Sequence, residues 1–578
     1  MHHSPRAYAI AVATSAIVVL AIAAISGPGD PADCTGPGCP PHTAEASPSS
    51  SPTPSGTTPV PAAPGNGDVR PGAGSFDAPA GGHANGAPPS ADATADAERP
   101  AGPRDPLRQP FASDSIWNTP IGSGAAYRRV YLRAEPGVTL DVNTFAHPDR
   151  AGSYRAYTLR GPDGGAYDAD GVTYGGRCTG TTDLGPVLFP RGTVVGDSVV
   201  APTYSTPGNA TAVVYPDGRT LLQLRSMARC DADSEPHGHR ATEADLYGDG
   251  TYGGHTGSGL SSVGGQLAPG ELTGAAPIAH ALQLSVWAQK YLAYDPGAER
   301  PGFRWPADRN DADAANVYCT LDPCRSAPDR RLKMGALLAV DPSLSASDLR
   351  LRNPAAMKIF QALKDFGGYV VDDTYGPTNQ LGIDAAAVAE IDQDDPGWAR
   401  DVRVIFNHLS LVDNNGPDRI GGGGTPRVTR PAPLPAPATT PKELGRAGWV
   451  ASAFRNGEDA GRVLDADAAT GWRAAVPLAD GQWFQVDLGA KRAFNRLTLD
   501  AEAFPYDYAQ ELDVLVSADG RRWTRVTRAG GARSGAVTFP RQTARFVRLV
   551  AVGDGIDPHQ TWSIGDLRLW RNDAVSFR

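Results

Sequence analysis

The chain has 578 residues, with 53 Lys+Arg against 63 Asp+Glu and a net charge of −10. At roughly 150 residues per domain the length predicts about four domains, but 67 Gly and 52 Pro are unevenly spread, crowd the first hundred residues and lower that number. The mild acidity excludes a general nucleic-acid binder, which needs a basic field, and the lack of a second long apolar stretch excludes a polytopic membrane protein.

Residues 7–26, AYAIAVATSAIVVLAIAAIS, carry no charge and follow His2, His3 and Arg6. A run of this length spans a bilayer as one helix, and the preceding cation predicts the amino end inside and the rest of the chain outside. A cleaved signal peptide, with Ala24 and Ser26 before Gly27 at the processing site, competes with an uncleaved anchor over residues 1–26. The length of the run favours the anchor, placing the protein at the cell surface; cleavage would make it secreted. Residues 27–108 are rich in Pro, Gly, Ala and Ser and show no apolar face, so they read as a disordered stalk.

Export suits the six cysteines, Cys34, Cys39, Cys178, Cys230, Cys319 and Cys324. Sequence does not choose among their pairings. Local spacing suggests Cys34–Cys39 and Cys319–Cys324, which leaves Cys178–Cys230. No CxxC pair supports zinc.

Residues 109–424 form a β-rich central domain with a few helices. VVYPDGRTLLQL reads as a hairpin around a PDG turn. A Gly-rich stretch, 246–272, precedes IAHALQLSVWA (278–288), which alternates as a strand. Over 354–368, Ala356, Ile359, Phe360, Leu363 and Phe366 fall at helical spacing, and Gly367–Gly368 can end the helix. The strand YVV (369–371) then leads into Asp372 and Asp373. The blocks GSGLSSVGGQL, IAHALQL, RWPA, KMGALLAV and ALKDFGGYVVDD resemble a recurrent type of secreted bacterial protein often joined to sugar-binding modules. That resemblance transfers no reaction.

Candidates for chemistry follow from residue type. His255 lies among Gly253, Gly254, Gly257 and Gly259, which permit close ligand approach; the segment is neither a Walker loop nor a GxSxG elbow. Glu271 and Asp372 are candidate catalytic carboxylates for a glycoside hydrolase, which needs an acid and a base or nucleophile. Strand alternation turns Asp372 and Asp373 to opposite faces, so one of them is expected to work with a distant acid such as Glu271. A polysaccharide lyase would use His280 or His255 as base and Arg304 to neutralise a uronate; Arg304 beside Trp305 also suits a sugar clamp. His237 and His239, after Asp231, Asp233 and Glu235, form a metal-friendly cluster that lacks a third spaced ligand and reads as a solvated loop.

A Pro-rich linker, 425–444, precedes a last domain at 445–572. There FQVDLG, NRLTLD, ELDVLVSADG and ARFVRLVAV alternate, predicting an antiparallel sandwich. The ordered blocks RVLDADAATGWR, GQWFQVDLG, YAQELDVLVSADGRRWTRV, ARFVRLVAVG and WSIGDLRLW resemble a coagulation-factor type C, or discoidin-like, domain. The resemblance implies a galactose-binding-like jelly roll of eight strands with ligand loops at one end. It also implies a structural calcium near residues 465–470, held by Asp465, Asp467 and Thr470, with Asp566 where the family commonly has Glu. Candidate glycan contacts are Phe504, Tyr506, Tyr508, His559 and Trp562, with Trp562 equally suited to the core. Trp472, Trp483 and Trp523 read as packing.

The sequence therefore reads as a mainly β, exported protein whose partner is a polysaccharide or cell-wall glycan, with no nucleic acid and with membrane contact through the amino-terminal segment only. A central domain that cleaves the glycan held by the last domain competes with a non-catalytic glycan-binding or adhesion protein.

Overall fold

The computed structural model describes residues 104–577 apart from short internal segments, the longest being 197–207. The amino-terminal apolar run, the stalk, Cys34 and Cys39 lie outside the described residues. Among those described, no helix is long and apolar enough to cross a membrane.

Alternating sequence builds a mainly β chain. In the central region 13 strands form one mixed sheet among the described residues. Its middle runs Leu337–Val340, Gly368–Thr374, Leu282–Trp287, Asn379–Asp384, Val138–Ala146, Thr211–Val214, Thr220–Ala228. The predicted hairpin is there, with Val213 opposite Leu222. Its turn is held by Asp217, whose carboxylate accepts the N–H groups of Arg219 (3.0 Å) and Thr220 (2.8 Å), with Gly218 at φ 66°.

The predicted helix spans Pro354–Asp365. Asn353 caps it by accepting the Ala356 N–H at 3.0 Å, and Pro354 occupies its first turn, where no N–H is needed. Ala356, Ile359, Phe360 and Leu363 face a core shared with Leu282, Leu284 and Val286 of the central strand. Gly367, at φ 77°, turns the chain so that Gly368–Thr374 can run parallel to Leu282–Trp287.

Cys178–Cys230 and Cys319–Cys324 are both bonded. The first closes a separation of 52 residues. Loop-closure entropy makes it worth about 4 kcal/mol. A Cys178→Ser, Cys230→Ser protein is expected to lose about that much unfolding free energy, read as a lower denaturant midpoint; an unchanged midpoint would refute the assignment.

The carboxy-terminal region is a jelly-roll-like sandwich. Among the described residues a 7-stranded sheet is ordered Lys442–Glu443, Asp566–Arg571, Trp483–Asp500, Ser534–Val552, Glu511–Ser517, Thr524–Gly530, with Val450–Ala453 beside Trp483–Asp500. The pair Trp472–Pro477 and Thr561–Ile564 packs opposite. Trp472, Phe484, Phe539, Trp562 and Leu567 fill the core between them.

The two cores are joined by buried polar contacts. Glu243, with a fully buried carboxylate, pairs with Arg496 (3.0 Å) and Arg240 (3.5 Å) and accepts the Thr538 hydroxyl (2.7 Å). Arg309 donates to Gln510 and to the Gly531 carbonyl, both at 2.9 Å. The Pro-rich 425–444 segment touches the central region at Thr439. Arg219 donates to the Thr439 carbonyl (3.1 Å), and the Thr439 hydroxyl donates to the Asp217 carbonyl (2.9 Å), tying it to the central region. The final residues return to that region as well: Val575 and Phe577 pack in the cluster around Tyr215.

Candidate functional site

The 368–374 strand carries the main surprise. Val370 stands opposite Leu284, but Asp372 stands opposite Ser285 on the neighbouring strand, so Val371 is an extra residue and the strand bulges. A bulge re-aims the side chains after it. The carboxylate oxygens of Asp372 and Asp373 consequently converge with Asp311 within 4.8 Å of one another. This overturns the expectation that the two adjacent acids cannot serve one site.

His255 completes the cluster from the Gly-rich stretch. A tight turn, closed by Gly259 N–H to the His255 carbonyl (2.9 Å), presents the ring, whose Nδ1 lies 3.5 Å from Asp372 Oδ2. Asp372 Oδ1 accepts the Gly257 N–H (3.2 Å) and the Asp373 N–H (3.1 Å). A Cβ at 257 would stand 2.7 Å from Asp372 Oδ1 and 2.9 Å from Asp311 Oδ2, so a larger residue would push the two carboxylates from these positions. The Tyr318 hydroxyl donates to Asp311 Oδ2. Asp141, on the Val138–Ala146 strand, completes the acidic surroundings.

Burial and crowding set the protonation of this group. Burial, then the Asp372 charge, pushes the Asp311 carboxyl up to about 7. Burial, partly relieved by His255, holds Asp141 at about 6. Asp373 is driven well above the carboxylate range by burial, then by Asp311 and Asp372. Burial opposes the imidazolium of His255, but the nearby Asp372 and Asp141 outweigh it and raise that ring above its ordinary value.

Glu271 is not part of this cluster. Its carboxylate meets His280 Nε2 at 3.0 Å and accepts the Ala268 N–H at 2.7 Å. His280 precedes the Leu282–Trp287 strand, whereas Ser285, further along, stands beside Asp372. Glu271 and His280 therefore clip the strand entry and leave Asp372 to other partners. The acids around HGH disperse into ion pairs, Glu235 with Arg160 (2.6 Å) and Asp233 with Arg191 (3.5 Å). His237–Arg240 is itself a strand, with His239 Nδ1 3.4 Å from Glu511, so the loop expectation fails there too.

Asp311 also lines a cleft of ≈ 750 Å³. Phe303 and Asp308 of the central region face Arg473, Phe504 and Tyr506 of the carboxy-terminal region across it. Tyr506 meets Phe303 edge-on at 5.7 Å, and the Arg300 guanidinium lies 4.3 Å over its ring. Arg473 lies 5.5 Å from the Phe504 ring. Two expected sugar contacts prove to be packing. Tyr508 is 5 % exposed, with its hydroxyl on the Asp308 carbonyl, and Trp562 is 1 % exposed, edge-on to Trp472 at 5.4 Å. His559 lies outside the described residues. Arg304 is bound to Asp413.

The calcium set does not fit the residues present. Asp465 and Thr470 meet at 2.8 Å and Asp467 closes the same loop, but Asp566 gives both carboxylate oxygens to Arg446 and Arg568. Two guanidiniums there oppose a cation.

A profile for the F5/8 type C domain matches residues 448–565, and this segment is such a domain. A chitosan-binding module 1 from a Paenibacillus sp. IK-5 chitosanase/glucanase shares 27% identity, covering 22% of this chain and 98% of that one, with TM-score 0.19. The family 32 carbohydrate-binding module of Clostridium perfringens NanJ, solved with galactose, shares 18% identity over 23% and 99%, with TM-score 0.20. No curated protein matches the chain.

Proposed function

We propose that this is an exported, surface-held glycan-active protein in which the central region cleaves a polysaccharide bound between it and the type C domain. A type C domain of this kind supports glycan binding. The observation that carries cleavage is the convergence of Asp311, Asp372 and Asp373 beside His255, with Asp311 opening on the cleft. Glycoside hydrolysis needs one carboxyl that delivers a proton to the leaving oxygen and a second that activates water or attacks the sugar. Asp311, kept protonated to about 7, suits the acid. Asp372, fixed by two backbone N–H groups, suits the base or nucleophile. Phe303, Phe504 and Tyr506 line the cleft, and aromatic rings suit sugar C–H surfaces.

The test is release of new reducing ends from a panel of polysaccharides by the full chain, with Asp311→Asn as control. Product that disappears in D311N supports hydrolysis; unsaturated-uronate absorbance would indicate elimination instead. Binding without product on any polymer would leave a non-catalytic binding protein. Shared protons balance the three acids in this mechanism, so EDTA is expected to leave activity intact. Loss restored by calcium would reassign the cluster to a hard cation, which favours such oxygen ligands. Export through residues 1–26 is tested by fractionation: an intact chain in the membrane fraction indicates the anchor, a shortened soluble one cleavage.

A further inference from the structure

Beside the cleft, and sharing Ala298, Glu299 and Phe303 with it, runs a groove of ≈ 430 Å³. Its other lining residues are Arg300, Arg304, Arg331 and Lys333, so four cations face one carboxylate in a chain of net charge −10. The acids at the cleft floor are accounted for by catalysis; these cations are not. The fold offsets them only in part: one carboxylate, Asp413, is shared by Arg128 (2.6 Å), Arg304 (3.5 Å) and Arg331 (2.7 Å), and Asp295 acts on Lys333. Lys333 donates to the Arg300 carbonyl (2.8 Å), a neutral partner. Arg300 stacks on Tyr506, and its buried Nε has no hydrogen-bond partner.

We propose that this groove is the subsite for the carboxylates of a uronate-bearing polysaccharide whose sugar rings lie on Phe303 and Tyr506 in the adjoining cleft. Guanidinium forks match carboxylate geometry, and Arg300 joins the two surfaces by touching the aromatic platform from the groove side. Packed like charges repel one another when empty, and an anionic chain relieves that repulsion. Burial already weakens the ammonium of Lys333 and the guanidinium of Arg304, with Arg331 adding to the latter. The subsite rests on the reading that a glycan occupies the cleft, but not on cleavage.

The experiment measures binding of the full chain to polygalacturonate, to the same polymer with its carboxyls reduced, and to dextran sulfate, with reducing ends followed separately. An R300Q/K333Q protein is expected to bind polygalacturonate about tenfold or more weakly, with a much smaller loss on the reduced polymer, because Arg300 also stacks on Tyr506. An R300K/K333R protein, which keeps the charge, is expected to retain most of the binding and so controls for folding. Equal affinity for the reduced polymer, or an unaffected R300Q/K333Q protein, overturns the subsite. Binding of dextran sulfate without polygalacturonate overturns the carboxylate assignment. Charge-dependent polygalacturonate binding with no reducing ends upholds the subsite and rejects hydrolysis alone.

Discussion

In an Asp372→Asn protein, kcat/KM on a cleaved polysaccharide is expected to fall by about 10²–10⁴-fold, with KM little changed. Asn keeps the size of the side chain and still accepts the Gly257 and Asp373 N–H groups through its carbonyl. What it loses is the ability to take a proton or attack. The pH profile supplies an independent readout. A general acid works only while protonated, and the Asp311 carboxyl holds its proton up to about 7. Activity should therefore persist below that value and fall as pH rises through it. In D372N the same limb should move down, because Asp372 is the largest charged contributor holding Asp311 up. A fully active D372N protein would place the chemistry elsewhere, and an unmoved limb would remove Asp311 from the acid role.

The parts of this site that sequence revealed were local. The PDG turn and the period of Ile359, Phe360 and Leu363 each act over a few residues, so spacing alone exposes them. The type C blocks were legible because strand alternation and turns recur in a fixed order over residues 448–565. The acid cluster was not. Its geometry depends on one extra residue, Val371, measured against a partner strand that alternation along one strand cannot sense. Asp311 follows RN in an irregular segment, and Asp141 looks like an outward position on an ordinary strand. Strand pairing across the sheet brings Asp141 toward Asp372, and Asp311 arrives on an irregular segment. Tyr508 and Trp562 failed as ligand residues for a related reason: sequence does not distinguish an aromatic side chain facing solvent from one facing a second domain, as Tyr508 does, or its own core, as Trp562 does.

Glu243→Gln should cost about 3–5 kcal/mol of stability, the usual range for breaking a buried ion pair from one side. Both carboxylate oxygens are engaged, Oε1 with Arg240 and Oε2 with Arg496 and Thr538, and none of the three side chains in the ionic group exceeds 10 % exposure. Gln leaves the two guanidiniums buried against each other with no counter-charge. The damage should fall on the junction between the regions, since Arg496 and Thr538 belong to the type C sheet, Arg240 to the central one, and Glu243 to the short connection after Arg240. Hydrogen exchange in E243Q should thus rise first along Arg496–Asp500 and Ser534–Thr538, and the unfolding transition should broaden or split as the regions uncouple. Glycan affinity is expected to fall too, although Glu243 does not line the cleft, because both walls of the cleft are placed by this junction. A module on a free tether raises only effective concentration and would keep its intrinsic affinity in E243Q. Unchanged stability and affinity would show that the two regions behave as tethered beads and that the cleft is not a shared site.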